Sequence, residues 1–235
     1  MKALKSVEHG ERLSQLVRMG MLNAYLVREE DGLTLIDTTV SGAAKPILAE
    51  VDRLGQPLRR IVITHAHADH CASLDALHAQ RPDAEVLVSA RDALFLAGDC
   101  STQSGEPAGR IFGPFYPRIK TVPTRTLQDG DMVGSLRAVA APGHTPGQLA
   151  FFDTCDDTLL CGDAYLALGG LFVTTKLVRR FPVPALVGTW HKPTAYETAE
   201  RLRALNPRRL GTGHGKVIAN PGPDMDRALR EAPRE

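Results

Sequence analysis

The sequence predicts an α+β fold in which two β-sheets pack face to face with helices outside. Each half of the chain places strand-like segments first and helix-like segments behind them, an order that suggests two sheet-and-helix layers. No linker or internal repeat divides the 235 residues, so 1–235 is expected to be a single domain. Hydrophobic residues make up 43% of the chain, enough for a core of useful size.

The first third alternates strand and helix signals. Residues 23–29 (NAYLVRE) and 32–38 (GLTLIDT) read as strands around a turn in EEDG. Residues 41–55 read as a helix, because Ile47, Leu48, Val51 and Leu54 share one face; Ser41 is placed to cap it and Gly55 to stop it. RRIVITH (59–65) is a short buried strand, and CASLDALHAQ (71–80) a helix ending before Pro82. AEVLVSA is a strand and RDALFLA a short helix. From about Gly98 to Pro123 the periodicity is lost in a Gly-, Pro- and Ser-rich stretch carrying Phe112, Phe115 and Tyr116. A loop of this length in a compact domain is usually functional or mobile.

Strands return at LRAVAAP, QLAFFDT and TLLCGDA. A second irregular segment, roughly 165–191, contains Phe172, Phe181 and Trp190. PTAYETAERLRALNP is a helix with Pro193 near its start and Pro207 after its end. RRLGTGH is the last strand, and a short helix closes the chain.

Bulk properties exclude several functions. The net charge of +1 creates no field favouring nucleic acid or an anionic membrane. The apolar run at 159–173 is too short to span a bilayer and contains Asp163. The N-terminus has no apolar signal region, which together with the cysteines points to the cytoplasm. The four cysteines show no CxxC pair and are expected to be reduced and mostly buried.

THAHADHC (64–71) places three of the eight histidines within six positions. A folding core gains nothing from clustered imidazoles, which repel when charged; a metal uses them as neutral ligands. His65 and His67 are spaced to project to one side of an extended segment, and Asp69 and His70 can turn toward a second ion. Further candidates follow later strands. His144 lies in APGHTPG, Asp163 in LLCGDA and His214 in LGTGHGK, each among small or rigid residues that let other groups approach.

THAHADH, PGHTPG, CGDA and GTGHG, in this order, resemble the metallo-β-lactamase-fold hydrolase superfamily, in its glyoxalase II and lactonase-like branch, over about residues 20–220. The resemblance implies a four-layer αββα sandwich of two mixed sheets with a dinuclear metal centre between them. It implies that His65, His67 and His144 hold the first metal, that Asp69, His70 and His214 hold the second, and that Asp163 bridges both. Two zinc ions per chain are the expected cofactor, with iron or manganese as alternatives. The flavodiiron relatives carry a glutamate at the position of His67.

Such a centre implies hydrolysis of an ester, lactone or related acyl bond of a small molecule by a hydroxide bridging the metals, with Asp69 orienting the nucleophile. Tyr165 stands near the position of a tyrosine that contacts the substrate carbonyl in lactonases of the superfamily, though one residue closer to the aspartate. Asp37 is either an acceptor for a ligand histidine or a turn residue. Cys71 and Cys161 are expected to be structural, and Asp163 stands where class B1 lactamases use a cysteine. His9, His78 and His191 are not expected to be ligands. The irregular segments are candidate pocket walls, with Lys176, Arg179 and Arg180 either meeting an anionic group or solvated. Only 21 residues follow His214, so the helical extension that binds glutathione in glyoxalase II-like thioesterases is not expected. A mononuclear-iron persulfide dioxygenase-like enzyme is the redox alternative, and a homodimer is possible.

Overall fold

The computed structural model describes residues 4–176 and 188–234. It divides into two compact units, one of Met1–Asp99 with Tyr116–Leu127 and one of Cys100–Phe115 with Gln128–Glu235.

The first unit contains a seven-stranded mixed sheet in chain order. Strands β1 (Lys5–His9), β2 (Leu13–Arg18), β3 (Leu22–Glu29) and β4 (Gly32–Ile36) pair antiparallel. Strands β5 (Leu58–Val62), β6 (Glu85–Ser89) and β7 (Arg125–Leu127) then add parallel to β4 and to one another. Parallel neighbours need crossovers, and helices supply them. Helix α1 (Ala44–Leu54) joins β4 to β5, and Gly55 ends it in the left-handed conformation. The expected cap differs: Ala43 stands at the N-terminus without a side-chain cap, and its N–H donates to Ser73 Oγ instead. The single helix expected over 71–80 is two short ones, α2 (Ala68–Cys71) and α3 (Leu74–His78). Helix α4 (Ala90–Ala97) follows β6, with Ser89 Oγ accepting the Asp92 N–H.

Strands β1 and β2 were not legible as strands. In β2 the polar Ser14 and Gln15 are buried, which spoils the apolar–polar alternation. They are tolerated because Ser14 donates to Glu8 and Gln15 donates to Asn23 Oδ1 at 2.9 Å.

The second unit contains a six-stranded mixed sheet. Its strands are β8 (Met132–Val133), β9 (Leu136–Ala140), β10 (Leu149–Asp153), β11 (Thr158–Leu160), β14 (Arg209–Gly211) and β15 (Ile218–Ala219). All pairs are antiparallel except β11 with β14. Within the segment expected to be irregular, β12 (Tyr165–Leu166) and β13 (Phe172–Val173) form a two-stranded ribbon. Helix α5 (Lys192–Ala204) is capped by His191, and helix α6 (Gly222–Glu231) ends the chain. The core of this unit joins Leu159, Cys161, Tyr165, Val173, Leu202 and Met225. Among the described residues no helix is long and apolar enough to cross a membrane.

Candidate metal centre

Each unit carries its own cluster of histidine and aspartate side chains. In the first, the chain leaves β5 through Ile63 and Thr64 and turns into α2. His67 stands at the N-terminus of α2 in extended conformation, so His65 and His67 precede the helix and Asp69 and His70 lie on it. The three rings gather closely: the His65 and His67 centroids are 4.9 Å apart, and those of His65 and His70 are 3.9 Å apart. The three histidines are buried, while the Asp69 side chain keeps 30% of its surface exposed. Asp69 Oδ2 lies 3.9 Å from His70 Nε2.

Asp37 organises this turn. Its Oδ2 lies 2.7 Å from His70 Nδ1, and its carboxylate accepts the Thr64 N–H and hydroxyl. Its backbone adopts φ 61°, a left-handed conformation that aspartate tolerates better than most residues. Asp37 therefore shapes the turn and also contacts the His70 ring. His65 Nδ1 lies 3.0 Å from Thr64 Oγ1. The peptide between His65 and His67 is held on both sides: Asp92 Oδ2 accepts the Ala66 N–H at 2.8 Å, and the Cys71 thiol faces the Ala66 carbonyl. Asp92 is fully buried and was missed from sequence. Its only signal was a charge inside an apolar helix.

In the second unit, strand register makes the cluster. The parallel β11–β14 pair sets Leu160 opposite Gly211, so Asp163 and His214, three residues further on, emerge side by side. Cys161 N–H donates to Gly211 O and Gly213 N–H to Gly162 O, which continues the pairing to the two side chains. His214 Nε2 lies 2.9 Å from Asp163 Oδ2. His144, in the turn after β9, places its Nε2 3.6 Å from the same oxygen. Gln148 ties these turns together, accepting the Asp163 N–H and donating to Ala141 O.

Two glycines are required by this geometry. A Cβ on Gly143 (φ 134°) would lie 2.3 Å from Ala195 Cα, and one on Gly215 (φ 102°) 1.9 Å from Ala167 O. Neither turn has room for a larger residue.

These donors suit a divalent metal. Nδ1 of His65, His70 and His144 meets Thr64, Asp37 and the threonines 174 and 189 respectively, which leaves Nε2 as the candidate ligand atom. Neutral imidazoles with carboxylates are the set that zinc, iron and manganese accept.

Tyr165 corrects an expectation. It is fully buried in the core, and its hydroxyl donates to Ala199 O of α5 at 2.8 Å. Burial pushes its pKa well up. Its position on β12 explains this, since that ribbon faces the helices. Lys176 is likewise engaged, with Nζ 2.7 Å from Glu231 Oε2. Arg179, Arg180 and Phe181 lie outside the described residues. The Tyr116 ring lies 4.8 Å from that of His67, and Gly109 packs on Trp190. Cys71 and Cys161 are buried as expected, and burial pushes the Cys71 thiol well up and the Cys161 thiol up to about 12. Cys155 is exposed and Cys100 half-buried, so only two of the four thiols are interior. His9 meets Gln15 and His78 lies on α3, apart from either cluster's contacts.

The chain belongs to the metallo-beta-lactamase superfamily, whose family model matches residues 17–214. It is a metal-dependent hydrolase of that superfamily, and its α+β fold of two mixed sheets with helices is the superfamily's fold. The protein YobT of Bacillus subtilis (strain 168), named as uncharacterized, is 42% identical over 211 residues, 90% of each chain. A hydroxyacylglutathione hydrolase of Gloeobacter violaceus is 30% identical over 220 residues, covering 81% of this chain and 78% of that one. The crystal structure of TTHA1623 in a di-iron-bound form superposes with a TM-score of 0.62 at 26% identity, over 88% of this chain and 93% of that chain.

Proposed function

We propose that residues 1–235 act as one catalytic domain, a cytoplasmic hydrolase that cleaves an ester, lactone or related acyl bond of a small molecule with two zinc ions. His65, His67 and His144 would hold one ion and Asp69, His70 and His214 the other, with Asp163 bridging. The observation that carries this reading is the convergence of His144 Nε2 and His214 Nε2 on one oxygen of Asp163, at 3.6 and 2.9 Å. A carboxylate between two imidazoles matches the role of a bridging ligand.

When bound, two divalent ions would supply a water whose pKa is lowered to about 7 and a Lewis acid for the carbonyl oxygen. The chain's residues do the rest. Asp69, whose side chain keeps 30% of its surface exposed, would orient the attacking water and accept its proton. Asp37 keeps His70 in one tautomer. Asp92 and Cys71 keep the spacing of His65 and His67 by holding the peptide between them. Tyr165 takes no part, because its hydroxyl is committed to the core.

A thioester is the second reading for the acyl bond, supported by the hydroxyacylglutathione hydrolase relative. Iron is the second reading for the metal, supported by the di-iron-bound neighbour. Elemental analysis of the purified protein, run beside hydrolysis of lactones, aryl esters and thioesters, tests both. Two zincs per chain with turnover of a lactone or ester is the expected result. One iron per chain with no hydrolysis of any acyl compound would overturn the proposal in favour of redox chemistry.

A further inference from the structure

His70 and His144 are backed by different chemistry. Nδ1 of His70 meets a carboxylate, that of Asp37. Nδ1 of His144 meets two hydroxyls: Thr174 Oγ1 at 3.2 Å and Thr189 Oγ1 at 3.3 Å. The two hydroxyls lie 3.1 Å from each other, and Thr189 Oγ1 also donates to the Thr174 carbonyl at 3.3 Å. Thr174, Thr189 and His144 are all buried. Every proton in this group has an acceptor when Nδ1 carries hydrogen: Nδ1–H to Thr174 Oγ1, that hydroxyl to Thr189 Oγ1, and the Thr189 hydroxyl to the Thr174 carbonyl. That tautomer leaves the Nε2 lone pair directed at the Asp163 side.

The backbone strengthens the arrangement. Thr174 N–H donates to Ala164 O, the residue after Asp163. Thr174 therefore anchors its main chain on the aspartate's turn and its side chain on the histidine's ring. Trp190 N–H donates to His144 O and His191 N–H to Gly143 O, so the stretch that carries Thr189 grips the histidine's own backbone. The His144–Asp163 geometry is thus set by a clamp whose ends are two threonines fifteen residues apart.

We propose that Thr174 and Thr189 are positioning residues that fix the tautomer and direction of His144 and so set metal affinity at its position. This inference rests on the metal-ligand assignment of His144 proposed above. Neutral hydroxyls polarise an imidazole less than a carboxylate does, so the ion held by His144 is the one a chelator removes first.

The test is chelator competition with zinc, and the visible spectrum after loading cobalt(II), on wild type, Thr174→Val with Thr189→Val, and Thr174→Ser. Valine keeps the branched shape and removes the hydroxyl. The double valine variant is expected to lose about 10–100-fold in affinity for one of two ions. It should show an altered cobalt spectrum, while the serine variant keeps wild-type values. Circular dichroism and melting identify a variant that has not folded, and the serine variant then carries the comparison: a tenfold loss there, with folding intact, overturns the proposal. Two ions bound with wild-type affinity in the double valine variant also overturns it. A wild-type protein that binds no zinc or cobalt overturns the metal-ligand assignment and this inference with it.

Discussion

At the scale of single residues, the expected function rests on which groups meet the buried histidines and Asp163. Asp163 meets two imidazoles, so Asp163→Ala is expected to leave at most one tightly bound metal and to lower kcat/KM by at least ~10³-fold, about 4 kcal/mol of transition-state stabilisation. Elemental analysis and kinetics on the same preparation check both. Tyr165→Phe is a contrasting control. It deletes one buried hydrogen bond, so it should cost about 0.5–1.5 kcal/mol of stability and leave kcat/KM unchanged. A large fall in turnover at normal stability would return Tyr165 to the active site. The thiols offer a simpler check. Burial raises Cys161 to about 12 and holds Cys71 well above its ordinary range, so neither forms thiolate at neutral pH. A native titration with a disulfide reagent should modify Cys155 rapidly and spare Cys71 and Cys161 until the protein unfolds.

At the scale of elements, the turns after strands do the positioning, and their tightness makes them vulnerable. Gly143→Ala would set a Cβ against the Ala195 backbone of α5 at 2.3–2.4 Å in a conformation that alanine resists. It should destabilise by more than about 2 kcal/mol and displace His144, seen as a lower urea midpoint together with loss of metal. Helix α3 holds the 116–121 segment through Asp75, whose carboxylate accepts the Lys120 and Thr121 N–H groups and the Thr121 hydroxyl. Burial pushes the Asp75 pKa up, but these hydrogen bonds outweigh it and the net shift is downward. A lowered folded-state value means the contribution is present above the unfolded pKa, about 3.9, and is lost as pH falls through the folded value. Wild type should therefore lose more stability between pH 5 and pH 3 than Asp75→Asn does. Equal slopes of urea midpoint against pH would remove Asp75 as the cause.

At the scale of the whole molecule, metal binding and folding are expected to be linked. Buried histidines and Asp163 carry their polarity in both units, and a bound ion stabilises the folded chain in proportion to its affinity. Removing metal with a chelator should lower Tm, and restoring zinc should recover it together with hydrolysis. A Tm unmoved by chelation, with metal shown to be gone, would mean that the fold carries these polar clusters unaided.

The candidate ligands were legible because side chains that can hold a metal have a narrow vocabulary. THAHADH, PGHTPG, CGDA and GTGHG each hold a histidine or aspartate in a local pattern that no packing role explains, and each lies at the end of an apolar strand. Residues 23–29, 32–38 and 136–142 could be read as strands for a related reason, since their apolar pattern is local. What stayed hidden depends on partners distant in sequence. Strand β2 buries Ser14 and Gln15 against groups on β1 and β3, so its pattern looks polar. Asp92 reaches back 26 residues to the Ala66 peptide, and Thr174 meets Thr189 and His144 across 15 and 30. Tyr165 could be read as a substrate contact from its nearness to Asp163, yet side chains alternate along an extended chain and its hydroxyl falls on the core side, against α5. The sequence by itself determined the types of the candidate ligands and their order. Only the tertiary structure decided which atoms back those side chains and which of their neighbours belong to the core, because a hydrogen bond between distant segments leaves no local periodicity to read.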